Sequence, residues 1–268
     1  MADITLQRAR GRAELAFDGA NGRTRLRHLH QSGCLKVMLP RTHAEVTDAV
    51  LINTAGGLTG GDHLSTHVAL RGGAELRLAT QTAERIYKST GGPAEVALRF
   101  DLEAGSRFDW LAQETILFQQ GRVARRIDVD MDESASLLLV EPIVLGRLKM
   151  GERVSDALLH DRWRVRRAGA LVFADDTRLY DFEAAARRAC LGGATALASV
   201  LMVDPMAEDL RERIGDGGPE EGVELGLSAW NGMLLIRLLA QDPLALRRKL
   251  CTLIETLRGR DMPRVWTM

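Results

Sequence analysis

The chain has 268 residues with 36 basic and 36 acidic side chains, so its formal net charge is zero. This balance argues against a general nucleic-acid binder, which needs a basic surplus to displace counterions from phosphates. Three widely spaced cysteines indicate no disulfide framework, and the longest apolar run, residues 233–240, is too short to span a bilayer. We expect one cytoplasmic domain, residues 1–268, with no nucleic-acid or membrane partner.

The first distinctive segment is glycine-rich, from Gly56 to Asp62, and it follows an apolar run at residues 49–53. Four glycines in six positions indicate backbone angles forbidden to other residues, or the close approach of another segment. The spacing matches neither common phosphate-loop pattern, and no clear helix follows to bind an anion at its N-terminus. We interpret the segment as a structural turn that presents Asp62.

Most of the following chain alternates between apolar and polar residues, which is typical of half-buried β-strands. Clear examples are residues 75–78, 95–100 and 163–165. A later apolar segment, residues 225–240, contains an Asn-Gly turn signal at residues 230–232 and is expected to return to the sheet as two strands. The sequence therefore predicts a mainly β fold.

The strands also carry a repeat. Residues 68–81 match residues 100–113 with a spacing of 32 positions, and a weaker copy follows 29 positions later, at residues 129–139. A fourth copy is predicted around Gly169. Each unit is a strand, a tight turn and a strand, so stacked hairpin layers and a helical β-architecture are expected. The alternative is an ordinary β-meander that shows this spacing by chance.

The repeat has a consequence for polar side chains. Such residues recur shortly after each turn, at Gln81, Gln113 with Glu114, Glu141, and Asp176. Stacked units would bring these side chains toward one edge of the molecule, where their oxygens could serve as cation ligands.

Two charged features allow more than one interpretation. Glu141 ends an apolar strand, where an unpaired carboxylate is costly to bury, and Arg147 is close enough in sequence to pair with it. The alternative is a strand-end salt bridge without a functional role. The arginines at positions 122, 125 and 126, like those at 162–167, are interpreted as solvated strand faces rather than as an anion-binding patch.

Two helices are predicted in the C-terminal third. Asp204-Pro205 and Asp242-Pro243 each place a capping residue before a proline suited to the first helical position. One-sided apolar stripes follow both, at residues 206–214 and 246–257.

No local motif indicates an enzyme. The six histidines form no compact zinc pattern, and there is no Gly-x-Ser-x-Gly elbow. Paired carboxylates of hydrolase type could be drawn from Glu114, Glu141, Glu152 and Asp176, although a chain with 36 acids always offers such pairs. A metal-dependent hydrolase that uses these carboxylates is the alternative function.

Five segments, taken in order, resemble the signature blocks of the urease accessory protein UreD (UreH) family. They are residues 51–62, 80–87, 110–118, 141–152 and 263–266. The resemblance implies a helical β-structure with two helices, and a non-catalytic scaffold that assembles with UreF and the GTPase UreG on apo-urease subunits. It also implies that nickel passes through or along the protein, with no permanently bound cofactor.

Transient handling of nickel needs oxygen or nitrogen ligands that release the ion, rather than a closed thiolate cage. The carboxylates compatible with this role are Asp62, Glu114, Glu141, Glu152 and Asp176. We expect Asp62, Glu141 and Asp176 to line the route, with Arg147 orienting Glu141. The supporting residues of the predicted site are Gly60, Gly61, Gln81 and Arg147.

Overall fold

A computed structural model describes residues 7–40, 46–147, 150–215 and 222–267. The strands in chain order are β1 (Arg10–Ala20), β2 (Arg23–Gly33), β3 (Leu35–Met38), β4 (Thr47–Asn53), β5 (His63–Arg71), β6 (Glu75–Thr80), β7 (Glu84–Ile86), β8 (Ala94–Leu102), β9 (Arg107–Leu111), β10 (Thr115–Leu117), β11 (Arg122–Met131), β12 (Ser136–Leu145), β13 (Leu158–Arg167), β14 (Ala170–Leu179), β15 (Ala196–Val203), β16 (Val223–Trp230) and β17 (Met233–Ala240). The helices are α1 (Phe182–Ala185), α2 (Ala207–Ile214), α3 (Pro243–Arg258) and α4 (Arg264–Thr267).

The strands form two sheets with a shared apolar core between them. Sheet A has the order β14-β13-β11-β8-β5-β1-β2. Sheet B has the order β16-β17-β15-β12-β9-β6-β4-β3, and the short strands β7 and β10 extend it beside the second half of β12. The predicted mainly β architecture is confirmed.

The sequence repeat is confirmed in the strand register. In sheet A, Val68 of β5 lies opposite Phe100 of β8, and Phe100 lies opposite Val129 of β11. In sheet B, Leu76 of β6 lies opposite Phe108 of β9. These partners are the residues that the repeat aligned, so each repeat is one layer of a parallel β-stack.

The layers differ from hairpins in one respect. The two strands of a unit, such as β5 and β6, do not pair with each other but lie in opposite sheets. The turn between them therefore crosses from one sheet to the other, with Gly73 in the left-handed region (φ 74°). Alternate side chains of both strands then point into the same core, which explains why the matched strand positions of the repeat, such as Val68 and Phe100, are apolar.

The predicted fourth copy is wrong. Strand β13 adds to sheet A in parallel with β11, but β14 turns back and pairs with β13 in the same sheet. Ala168 and Gly169 both have positive φ, at 50° and 80°. Two such residues form the tight turn that matches the twist of an antiparallel pair, so the chain stays in sheet A. The hairpin of β16 and β17 also turns at two residues with positive φ, Asn231 and Gly232, where the sequence predicted a turn.

The longer predicted helix is confirmed as α3. Asp242 caps it by accepting from the backbone N–H of Leu244, and Gly259 ends it in the left-handed conformation. Its apolar stripe packs on sheet B with side chains such as Val200 and Ile236. Helix α2 begins at Ala207, later than the predicted cap at Asp204. Among the described helices, none combines the length and apolar character needed to cross a membrane.

Candidate functional site

A cavity of ≈ 100 Å³ lies between the two sheets. Its lining includes exposed residues such as Gly56 and Thr82, which mark its mouth, and the buried residues Trp110, Arg125 and Glu141 at its inner wall. About half of the lining side chains are apolar, and the rest are polar or charged. The cavity is the region where the stacked layers leave the core incompletely filled.

Three members of the predicted polar edge converge on this cavity. Gln81, Gln113 and Glu141 all line it. The Gln113 amide nitrogen donates to the backbone carbonyl of Gln81 at 2.7 Å, which ties adjacent layers together. The edge prediction is therefore right for these three residues, which follow the turns of three successive layers.

The inner wall contains a buried charge network. Arg125 binds both oxygens of Asp161, through Nε at 2.9 Å and Nη2 at 2.6 Å. Its Nη1 donates to Glu141, whose other oxygen accepts from the indole N–H of Trp110 at 2.7 Å. The side chains of Arg125 and Glu141 are 8% and 1% exposed. The network is thus largely closed to solvent except through the cavity.

Strand alternation explains why these charges point inward. Arg125 shares a face of β11 with Val123 and Ile127, all of them buried. Asp161 lies on the inward face of β13, directly opposite Arg125 in the strand register. The interpretation of this arginine cluster as a solvated face is correct for Arg126 but wrong for Arg125. The signal that could have identified it is its phase with the apolar residues.

The network has more acidic than basic groups, because one guanidinium faces two carboxylates. Burial raises the pKa of Glu141 to about 7, whereas Arg125 and Trp110 act to lower it. A cation or a proton near Glu141 would offset the surplus negative charge. The charge state of this carboxylate therefore depends on its surroundings in the cavity wall.

A second carboxylate, Glu84, lines the same cavity. Asn53 donates its side-chain amide to both Glu84 oxygens, at 3.0 and 3.2 Å. Burial raises the pKa of Glu84, although these hydrogen bonds lower it. Glu84 was not among the site residues predicted from the sequence. Its position two residues before the buried Ile86, on the same face of β7, was the available signal.

Asp62 does not line the cavity but holds the glycine-rich turn together. Its two oxygens accept from the backbone N–H groups of Ala9 and Thr59, each at 2.8 Å. Gly60 is required by close packing, since an added Cβ would lie 1.9 Å from the Ser89 hydroxyl oxygen. Gly61 has a φ of +85°. The segment is a structural turn, and the Asp62 carboxylate accepts from backbone N–H groups of this turn and of the segment before β1.

The predicted pairing of Arg147 with Glu141 is wrong. Arg147 donates its Nε to Glu152 at 2.7 Å, and this contact lowers the pKa of Glu152. Arg125 takes the place expected for Arg147. It reaches Glu141 from sheet A across the core, a contact that no spacing along the chain could indicate.

The other predicted carboxylates lie apart from the cavity. Glu114 is not part of the cavity lining and pairs with Arg247 at 2.8 Å, and the same guanidinium donates to the Gln113 side-chain oxygen at 3.3 Å. Asp176 lies on the outer face of sheet A, 3.1 Å from the His160 ring, because β14 folds back instead of continuing the stack. Within the four described ranges, no group of three or more His, Cys, Asp or Glu side chains is placed to hold a metal ion.

A second buried charge cluster lies between sheet B and α3. The Arg258 guanidinium is 2.5 Å from Asp109 and 3.7 Å from Asp204, and it donates to the Ser136 hydroxyl at 2.9 Å. The sequence placed Arg258 only in the last turn of a helix. The cluster fixes the end of α3 on the sheet and has no connection to the cavity lining.

Comparison with known proteins gives a consistent picture. A family described as "UreD urease accessory protein" matches residues 9–267. The chain is 46% identical over 265 residues to a protein of Rhizobium etli named "Urease accessory protein UreD", covering 98% of this chain and 96% of that protein. It is 47% identical over 266 residues to a protein of the same name from Rhizobium leguminosarum bv. trifolii, with the same coverage. A Brucella ovis protein named "Urease accessory protein UreD 1" is 43% identical over 279 residues, covering 100% of this chain and 97% of its own length.

Proposed function

Since the chain belongs to the UreD family of urease accessory proteins, we propose that it is a non-catalytic scaffold that helps deliver nickel to urease. In this proposal it assembles with UreF and UreG on apo-urease subunits. Family membership supports the role in urease maturation. The observation that supports the nickel step is the cavity between the sheets, because carboxylates line its wall.

The chemistry of the cavity suits a passing cation. Glu84 and Glu141 both line it, and their oxygens are ligands that bind nickel without the tight hold of a thiolate cage. Glu84 is only partly shielded and Glu141 is fully buried, so the two carboxylates form an outer and an inner position. We assign the proposed route to these two residues, because Asp62 and Asp176 are not part of the cavity lining.

The contacts of Glu141 suit reversible binding. Arg125 donates two hydrogen bonds to Asp161 and one to Glu141. A dication beside Glu141 would compensate the surplus negative charge of the network. When the ion leaves, Glu141 would again accept the hydrogen bond from Arg125. The guanidinium thus competes with the ion and prevents it from being trapped.

The test is nickel loading of urease by Glu84→Gln and Glu141→Gln variants. Both substitutions remove a charge while keeping the size of the side chain, although an amide nitrogen replaces one of the two accepting oxygens. Glu133→Gln on the exposed surface is the matched control. We expect the variants to copurify with UreF and apo-urease from nickel-supplied cells, while the urease they mature contains less nickel. Normal nickel content with both cavity variants would contradict the route. Loss of copurification would instead implicate the scaffold role.

Among the described residues, no cluster of possible metal ligands favours the metal-dependent hydrolase. The carboxylates that it would use, including Glu114, Glu152 and Asp176, lie in separate ion pairs on different parts of the described surface. We therefore do not propose it.

A further inference from the structure

The edge of sheet A formed by β2 has an unusual composition. The strand spans 11 residues and contains three arginines and two histidines but no acidic residue, although the whole chain is neutral. One side of β2 pairs with β1, and no strand pairs with its other side in the part of the chain that the structure describes. Its remaining backbone N–H and C=O groups are therefore available to an added strand.

The side chains of β2 are sorted onto two faces. Arg23, Arg25, His28 and His30 lie opposite outward-facing residues of β1. Leu26 lies opposite Phe17 on the core side, yet it is 40% exposed. An added strand would thus meet basic groups on one face and an incompletely covered apolar residue on the other.

The positive charge of this edge is only partly neutralised within the chain. Arg27 pairs with Asp18 at 2.5 Å, and the His28 ring is 3.9 Å from Glu14. Arg23 and Arg25 are exposed and have no acidic partner among the residues that the structure describes. A second copy of β2 would again carry basic and no acidic residues, so self-pairing lacks charge complementarity.

We propose that β2 is a docking edge for an extended acidic segment of a partner protein, which adds to sheet A as a further strand. Main-chain hydrogen bonds would supply affinity, and alternating acidic and apolar side chains would supply specificity. This inference goes beyond nickel handling and does not depend on it. The competing explanation is that the charges only protect an exposed edge from aggregation.

Charge reversal separates the two explanations. Arg23→Glu with Arg25→Glu keeps the edge charged, so protection against aggregation is retained, but it repels an acidic strand. Arg187→Glu with Arg188→Glu makes the same charge change on exposed residues elsewhere.

The probe is a short fluorescein-labelled peptide in which Glu and Val alternate, and a Lys-Val peptide of equal length is its control. Binding to the full chain is measured by fluorescence anisotropy at low and physiological salt.

We expect the Glu-Val peptide to bind the unmodified chain and the Arg187/Arg188 variant equally. The Arg23/Arg25 variant should bind it about tenfold more weakly or worse, because two attractive contacts become repulsive. Hydrogen exchange of residues 23–33 should slow when the peptide is bound. Equal binding to all three proteins would overturn the proposal. Charge-dependent binding without slowed exchange in β2 would also overturn it, since strand addition would then be absent.

Discussion

The buried network at the cavity makes a strong prediction about stability. Arg125→Met replaces the guanidinium with an apolar side chain of similar length, and it leaves Glu141 and Asp161 without their common partner. Removing one partner of a buried ion pair costs about 3–5 kcal/mol, chiefly because the remaining charge is left uncompensated. Here two carboxylates are affected, so the loss should reach the upper part of that range near neutral pH.

The matched control is Arg126→Met, one residue further along β11. Arg126 is 58% exposed and lies 3.4 Å from a partly exposed Asp128, so its loss should change stability by no more than about 0.5 kcal/mol. Urea unfolding followed by tryptophan fluorescence is a suitable assay, because Trp110 and Trp163 are buried in the core. Adding Glu141→Gln to Arg125→Met should recover part of the loss. Equal unfolding midpoints for the two single variants would refute the argument that the inward charges depend on Arg125.

Three further predictions follow from single contacts. Burial raises the pKa of Glu141 to about 7, above the ordinary value of 4.5. The contribution of Glu141 to stability is therefore present at low pH and is lost as the pH rises from 4.5 through about 7. Glu141→Gln should make the urea unfolding midpoint less dependent on pH in this interval. Gly60→Ala should destabilise the protein by about 1–3 kcal/mol, because the new Cβ would meet the Ser89 hydroxyl, and a smaller change in thermal unfolding would contradict this. Asp242→Ala should cost about 1 kcal/mol by removing the cap of α3, whereas Asp242→Asn should retain most of the stability in the same measurement.

The candidate site was partly within reach of sequence reasoning. Glu141 was identified because a carboxylate in an apolar strand needs a partner. Arg125 and Asp161 were not, although both lie in phase with buried apolar residues of their strands. The contact of Arg125 with Glu141 links sheet A to sheet B, and the spacing of these residues along the chain does not predict it.

The sequence by itself determined the mainly β fold, the spacing of the layers and the family. Local physics is sufficient for the fold and the layer spacing, since alternation selects strands and each repeated turn sets one layer upon the next. The family was indicated by the resemblance of ordered sequence blocks. The tertiary structure decided which polar residues meet. The two left-handed residues at Ala168-Gly169 keep β14 in sheet A and remove Asp176 from the cavity side, while inward alternation brings Arg125 against Glu141. Such contacts depend on the direction of turns and on packing across the core, which a linear pattern does not encode.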